Sequence, residues 1–112
     1  MLTKTSADTT IKCMSANFES MIMKMDELRL RVNELKPDII FGTETWLKSE
    51  VDECIVNLPG YKMFRKDTAE VRGGVILLVR NLIDVDLCSE LNDLNVKDTL
   101  WLWKKNVTGT MI

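Results

Sequence analysis

Apolar residues recur along this chain with two periods, near two and near 3.6, and the switches between them mark its elements. The stretch IKCMSAN, Ile11 to Asn17, predicts a short strand with Ile11, Cys13 and Ser15 on one face. In ESMIMKMDELRLRVNELK, Met21, Met25, Leu28, Val32 and Leu35 recur at spacings of four and three, the stripe of an amphipathic helix. Ser20 is placed to cap its start, and Glu27 with Arg31 makes a favourably oriented i,i+4 pair. Pro37 ends it by pushing Lys36 out of helical geometry. The methionines read as core filler. DIIFGT is then a continuous apolar run, too short and too β-branched for another helix, and predicts a buried strand. Strand, helix and strand together form a βαβ-like, parallel unit.

The second half is different. WLKSEVDECIVNLPG is irregular and closes on the Pro59-Gly60 turn. YKMFRKD alternates, with Tyr61, Met63 and Arg65 on one side; EVRGG, Glu70 to Gly74, is a turn; VILLVR, Val75 to Arg80, is a strongly apolar strand. A short strand near Val85 to Cys88 and a last one in TLWLWKK, Thr99 to Lys105, follow. Strands without interleaved helices do not build an all-parallel sheet, so the class is α/β or α+β with one mixed sheet and one main covering helix. That helix covers one face. The other is expected to present an apolar surface suited to a partner or a further copy. Residues 1–10 read as a polar tail, 11–105 as part of a domain, and 106–112 as a C-terminal tail.

Composition narrows the chemistry. Of 112 residues, 46% are apolar and 29% charged, an ordinary globular balance, and the net charge of −2 gives no global field for nucleic acid. Cys13, Cys54 and Cys88 are far apart and form no C-x-x-C pair, so a reducing intracellular setting, nucleus or cytoplasm, is expected. The N-terminus lacks a signal-peptide core, which predicts a protein that is not secreted, and no apolar run approaches the roughly 20 residues of a membrane span. The chain contains no histidine, which removes Ser-His-Asp, Cys-His and His-metal chemistry. Hydrolysis here would need carboxylates, lysine, tyrosine or an oxygen-ligated metal.

The candidate constellation is Asn17 at the end of the first strand with Glu44 at the end of the second. Parallel neighbours would bring both to one carboxyl edge, where α/β sheets place ligands. Their oxygens are hard donors suited to a hydrated Mg²⁺. On spacing alone, solvated strand ends outweigh ligands, because two residues do not make a metal site. RGG, Arg72 to Gly74, reads as a hairpin turn and not a P-loop, since no G-K-[ST] follows. NVT, Asn106 to Thr108, is a chance match to a glycosylation acceptor.

IKCMSANFESMIMKMDELRLRV, KPDIIFGTETWL, LPGYKMFRKD and RGGVILLVR, in that order, resemble the opening half of the endonuclease/exonuclease/phosphatase domain. The form they resemble stands at the front of non-LTR retrotransposon polyproteins, and KPDIIFGTETWL is the specific part. The resemblance implies a partial four-layer α/β/β/α sandwich and a Mg²⁺-dependent phosphodiesterase site acting on DNA. It implies Glu44 as a metal ligand and Asn17 as a residue that arranges metal and phosphate. Two departures stand out: Glu19 falls where that family has arginine, and Arg72 falls on the first glycine of R-G-G-G-V, which is expected to distort the turn. The family's later motifs, an Asp-x-Asn pair, a tyrosine and a terminal Asp and His, have no counterpart here, and neither does its second sheet. The expectation is therefore a nuclease fragment with weak or absent DNA binding and no efficient activity. A non-catalytic interaction module and a small-molecule or lipid phosphoesterase remain as alternatives.

Overall fold

Four strands form a mixed sheet in the spatial order β1-β2-β4-β3. They are β1 (Cys13–Asn17), β2 (Ile39–Thr43), β3 (Tyr61–Lys66) and β4 (Val75–Arg80). The computed structural model describes residues 11–88, 92, 97, 99–100 and 102–105, so both expected tails lie outside the described residues. β1 and β2 are parallel, and β4 runs antiparallel to both β2 and β3. The carboxyl ends of β1, β2 and β3 therefore share one edge with the amino end of β4.

The expected α1 (Met25–Leu35) forms, entered through a 3-10 turn at Ile22–Lys24. Its stripe meets the sheet: Met21, Met25 and Leu28 are buried with Ile40, Ile76 and Leu78, and Val32 packs against that cluster. Each such side chain contributes about 1.5–3 kcal/mol on burial. Leu35, last in the stripe, is 53% exposed, because the helix ends there at left-handed Lys36. Two details of the expected helix are corrected. Ser20 is not its cap, since it lies before the 3-10 turn at φ 86°, and no side chain caps either start. Arg31 pairs with Glu34 at 3.4 Å, one turn C-terminal, in place of Glu27.

On β1 the core-facing side chains are Met14 and Ala16, while the Cys13 and Ser15 side is exposed. Tyr61 and Met63 do share the helix-facing side and pack on the core. A short helix absent from the sequence reading, α2 (Glu53–Val56), lies in the irregular stretch and buries Val56. Asp52 caps it: the Cys54 N–H donates to Asp52 Oδ1 at 3.0 Å. This bond above all holds the Asp52 carboxyl below its ordinary value, and the Asp52 carboxylate in turn pushes the Cys54 thiol up. A lowered carboxyl value stabilises the cap above the unfolded value of about 3.9, and that support is lost as pH falls through the lower folded value. The protection factor of the Cys54 amide, with the intrinsic pH dependence of exchange divided out, is thus expected to fall as pH drops below about 3.9, and Asp52→Asn, which still caps, to remove that fall.

Beyond the main sheet, β5 (Asp84–Leu87) and β6 (Leu102–Lys105) pair antiparallel as a separate two-stranded sheet. Both strands lie where the sequence predicts its last two, and they pair with each other apart from the main sheet. The helix-free face of the main sheet is also not uniformly open: Val75 and Val79 are at most 1% exposed, while Phe41 on the same face is 38% exposed. Alternation along β4 (Val75 and Val79 on one face, Ile76 and Leu78 on the other) leaves both faces buried at this strand. No described helix is long and apolar enough to cross a membrane.

Candidate functional site

The parallel register sets Asn17 opposite Thr43, so Glu44 begins one residue beyond the pair. Asn17 Nδ2 donates to Glu44 Oε2 at 3.0 Å, and the two residues singled out by spacing are in contact. Asn17 is exposed and Glu44 half-buried. The backbones around them are laced together. N–H groups of Phe18, Ser20 and Met21 donate to the carbonyls of Thr43, Glu44 and Thr45 at 2.9, 3.2 and 3.0 Å. Both segments turn sharply to do this: Glu19, Ser20, Glu44 and Trp46 have φ of 47°, 86°, 50° and 57°. Left-handed backbone in a non-glycine residue costs on the order of 1 kcal/mol or more, and such strain is held where surrounding contacts over-determine it.

The β3–β4 connection supplies those contacts from the other side. Gly73 and Gly74 have φ of 115° and 91°, and their carbonyls accept from Trp46 N–H at 2.9 Å and Thr45 N–H at 3.3 Å. Thr45 is 1% exposed. Arg72, expected to distort this turn, precedes the two positions that need positive φ. Its guanidinium carbon instead sits 5.1 Å from the Trp46 ring centroid, a cation–π contact. On β3, Arg65 Nη2 reaches Asp67 Oδ2 and the Lys48 carbonyl, each at 2.8 Å, with side chains only 12% and 16% exposed for Arg65 and Asp67. The sequence reads Gly73 and Gly74 as a plain hairpin turn and does not single out Thr45, because a glycine pair next to an apolar strand fits any tight turn equally well.

The donor set at this edge is small. Among the described residues no group of three or more His, Cys, Asp or Glu comes together. One carboxylate beside one amide still suits Mg²⁺, which keeps several waters and takes only one or two carboxylates. The Asn17–Glu44 hydrogen bond leaves the second carboxylate oxygen and the amide oxygen outside it. Asn17 also stands at the rim of a groove of about 280 Å³ between β1 and α1, floored by Met14, Ala16 and Leu28 and flanked by Lys24, Glu27 and Arg31. Glu19, at the expected arginine position, is exposed, a carboxylate close in sequence to Asn17.

No protein-family model matches the sequence, and no curated protein is similar to it. Solved structures are similar in fold. An AP endonuclease from Leishmania major superposes with a TM-score of 0.67 at 18% identity, over 96% of this chain and 41% of that one. A 3′ phosphatase from Neisseria, bound to product DNA hairpin, gives 0.62 at 14% identity over 88% and 38%. An AP endonuclease from Archaeoglobus fulgidus gives 0.60 at 22% identity, over 88% and 38%. The chain thus has the mixed α/β fold of the AP endonuclease and exonuclease-phosphatase proteins, and it spans about two fifths of their length.

Proposed function

We propose that this chain carries the opening part of a Mg²⁺-dependent DNA phosphodiesterase domain of retrotransposon type, and that alone it does not cleave DNA efficiently. The observation that carries the reading is the 3.0 Å contact between Asn17 and Glu44 at the shared carboxyl edge of two parallel strands. Glu44 would hold the ion through a carboxylate oxygen, and Asn17 orients that carboxylate through its amide. A Mg²⁺ held there supplies charge stabilisation on phosphate oxygens.

Three observations support the inactivity. Hydrolysis needs a positioned proton acceptor for the attacking water, and a chain without histidine offers no imidazole for it. β1 also ends the sheet order. The Phe18 N–H and Lys12 carbonyl both engage the β2 side, so the intervening N–H and C=O groups of Cys13, Ser15 and Asn17 point to an edge that none of the described strands occupies. Such an edge can accept a further strand, consistent with a domain completed by additional polypeptide. Exposed Glu19 near the site opposes a polyanion.

The purified chain is expected to give no plasmid nicking above a no-protein control in 10-fold excess Mg²⁺ over its own concentration. Nicking that disappears in Glu44→Ala would overturn the inactivity. For the metal, Mn²⁺ is expected to broaden the Asn17 side-chain amide resonance in the wild type and to do so far less in Glu44→Gln. Equal broadening in both would overturn the assignment of Glu44 as ligand.

A further inference from the structure

We infer that Gly73 and Gly74 are positioning residues for Glu44: the glycine turn fixes, through Thr45 and Trp46, the left-handed backbone that aims the Glu44 carboxylate at Asn17. The inference deepens the metal reading and rests on it only for the ion, since the aim of the carboxylate is observable without one.

Glu44 lies between two loops that hold it from opposite sides. On one, Ser20 N–H donates to the Glu44 carbonyl at 3.2 Å and Met21 N–H to the Thr45 carbonyl at 3.0 Å. On the other, the next two N–H groups after Glu44 are taken by the Gly74 and Gly73 carbonyls, at 3.3 and 2.9 Å. Every backbone group in this lacing sets the direction of the chain at Glu44, whose φ of 50° is disfavoured without such support. The approach is possible only with glycine. A Cβ at Gly74 would stand 2.6 Å from Thr45 Oγ1, and Thr45 cannot retreat because it is 1% exposed. Both glycines also have φ values, 115° and 91°, that L side chains rarely adopt. A turn that only joined β3 to β4 would need positive φ, but it would not need to touch Thr45.

Gly60 provides the control. It has a similar φ of 87°, yet a Cβ there meets nothing within 4 Å. Gly60→Ala therefore imposes comparable backbone strain without contact at the site.

The experiment follows the Asn17 side-chain amide by ¹H–¹⁵N NMR, with the Mn²⁺ concentration that half-broadens it as second readout. In Gly74→Ala the resonance is expected to move towards that of the Glu44→Ala chain, with at least a tenfold higher half-broadening Mn²⁺ concentration. Thr45→Ala removes the obstructing hydroxyl, so Gly74→Ala/Thr45→Ala is expected to bring the resonance back at least halfway to its position in Thr45→Ala alone. Gly60→Ala is expected to lower the melting temperature and leave the Asn17 amide unmoved. An unmoved amide in Gly74→Ala, or an equal displacement in Gly60→Ala, overturns the positioning role. If Gly74→Ala does not fold, the double variant decides: an amide at the Glu44→Ala position there, in a folded chain, overturns it too. Failure of the metal reading is separate, and shows as Mn²⁺ broadening that Glu44→Gln leaves unchanged while the amide shifts still follow the expected order.

Discussion

Asp67→Ala is expected to destabilise the domain by about 3–5 kcal/mol, a large share of the roughly 5–15 kcal/mol available to a protein of this kind. Asp67 receives Arg65 through Nε and Nη2, at 3.2 and 2.8 Å, and both side chains are largely withdrawn from water. Arg65 Nη1 is already buried with no hydrogen-bond partner. Removing the carboxylate leaves a guanidinium charge with its remaining polar contact on the Lys48 carbonyl, at 2.8 Å. The cost comes from the stranded charge more than from the lost pair, which makes a specific contrast. Arg65→Met/Asp67→Ala, which removes both charges, is expected to be more stable than Asp67→Ala alone. Urea unfolding of the two variants and the wild type measures it; equal destabilisation would show that the pair is not desolvated. Because Arg65 grips Lys48, just beyond Trp46, the single variant should also loosen the segment that carries Glu44.

Gly42→Ala is expected to cost about 3 kcal/mol, the upper end of overpacking penalties, and to lower the melting temperature by on the order of 15 °C. Gly42 lies mid-strand on β2, in register with Ala16 and Ile76. A Cβ there would come 2.2 Å from Phe18 Cε2 and 2.9 Å from Ile76 Cγ2. Phe18 is 4% exposed, and its ring occupies the space that a side chain at residue 42 would need. The ring must leave for alanine to fit. Since Phe18 follows Asn17 and its N–H donates to Thr43 at 2.9 Å, ring displacement would reach the candidate site as well as the core. Differential scanning calorimetry gives the melting shift, and a change below about 5 °C would mean that Phe18 repacks at little cost.

The sequence makes some of this legible and hides the rest for physical reasons. The stripe Met21, Met25, Leu28 and the runs DIIFGT and VILLVR report local periodicity against a flat core, and they fold as read. Asn17 and Glu44 were findable because a parallel pair with a helical crossover places successive strand ends at one edge. The last two strands, in VDLC and TLWLWKK, are legible, but not that they pair with each other apart from the main sheet, because they are short and separated by an acidic stretch without period. The short helix Glu53–Val56 rests on one Asp52 cap and too few residues to show a stripe. Least visible was the left-handed backbone at Glu19, Ser20, Glu44 and Trp46. None is glycine, and Ser20, Glu44 and Trp46 are held by backbone hydrogen bonds to segments distant in sequence. The likeness to nuclease motifs marked Glu44 as important without indicating how its direction is set. That information lies in Gly73 and Gly74, residues whose pattern fits many turns.

The interlaced carbonyls of Thr43, Glu44 and Thr45 also bear on how this region moves. Loop tips usually exchange their amide protons fastest, because they open without disturbing the core. Here the amides of Phe18, Ser20, Met21, Thr45 and Trp46 are all engaged with another segment's carbonyls. Releasing them would unseat buried Met21 and Thr45, both at most 1% exposed. Their exchange should accordingly be slow, governed by the same opening that exposes β2 and β4. The polar edge and the apolar core then breathe as one unit, and any ion bound at the edge would raise the melting temperature of the whole domain.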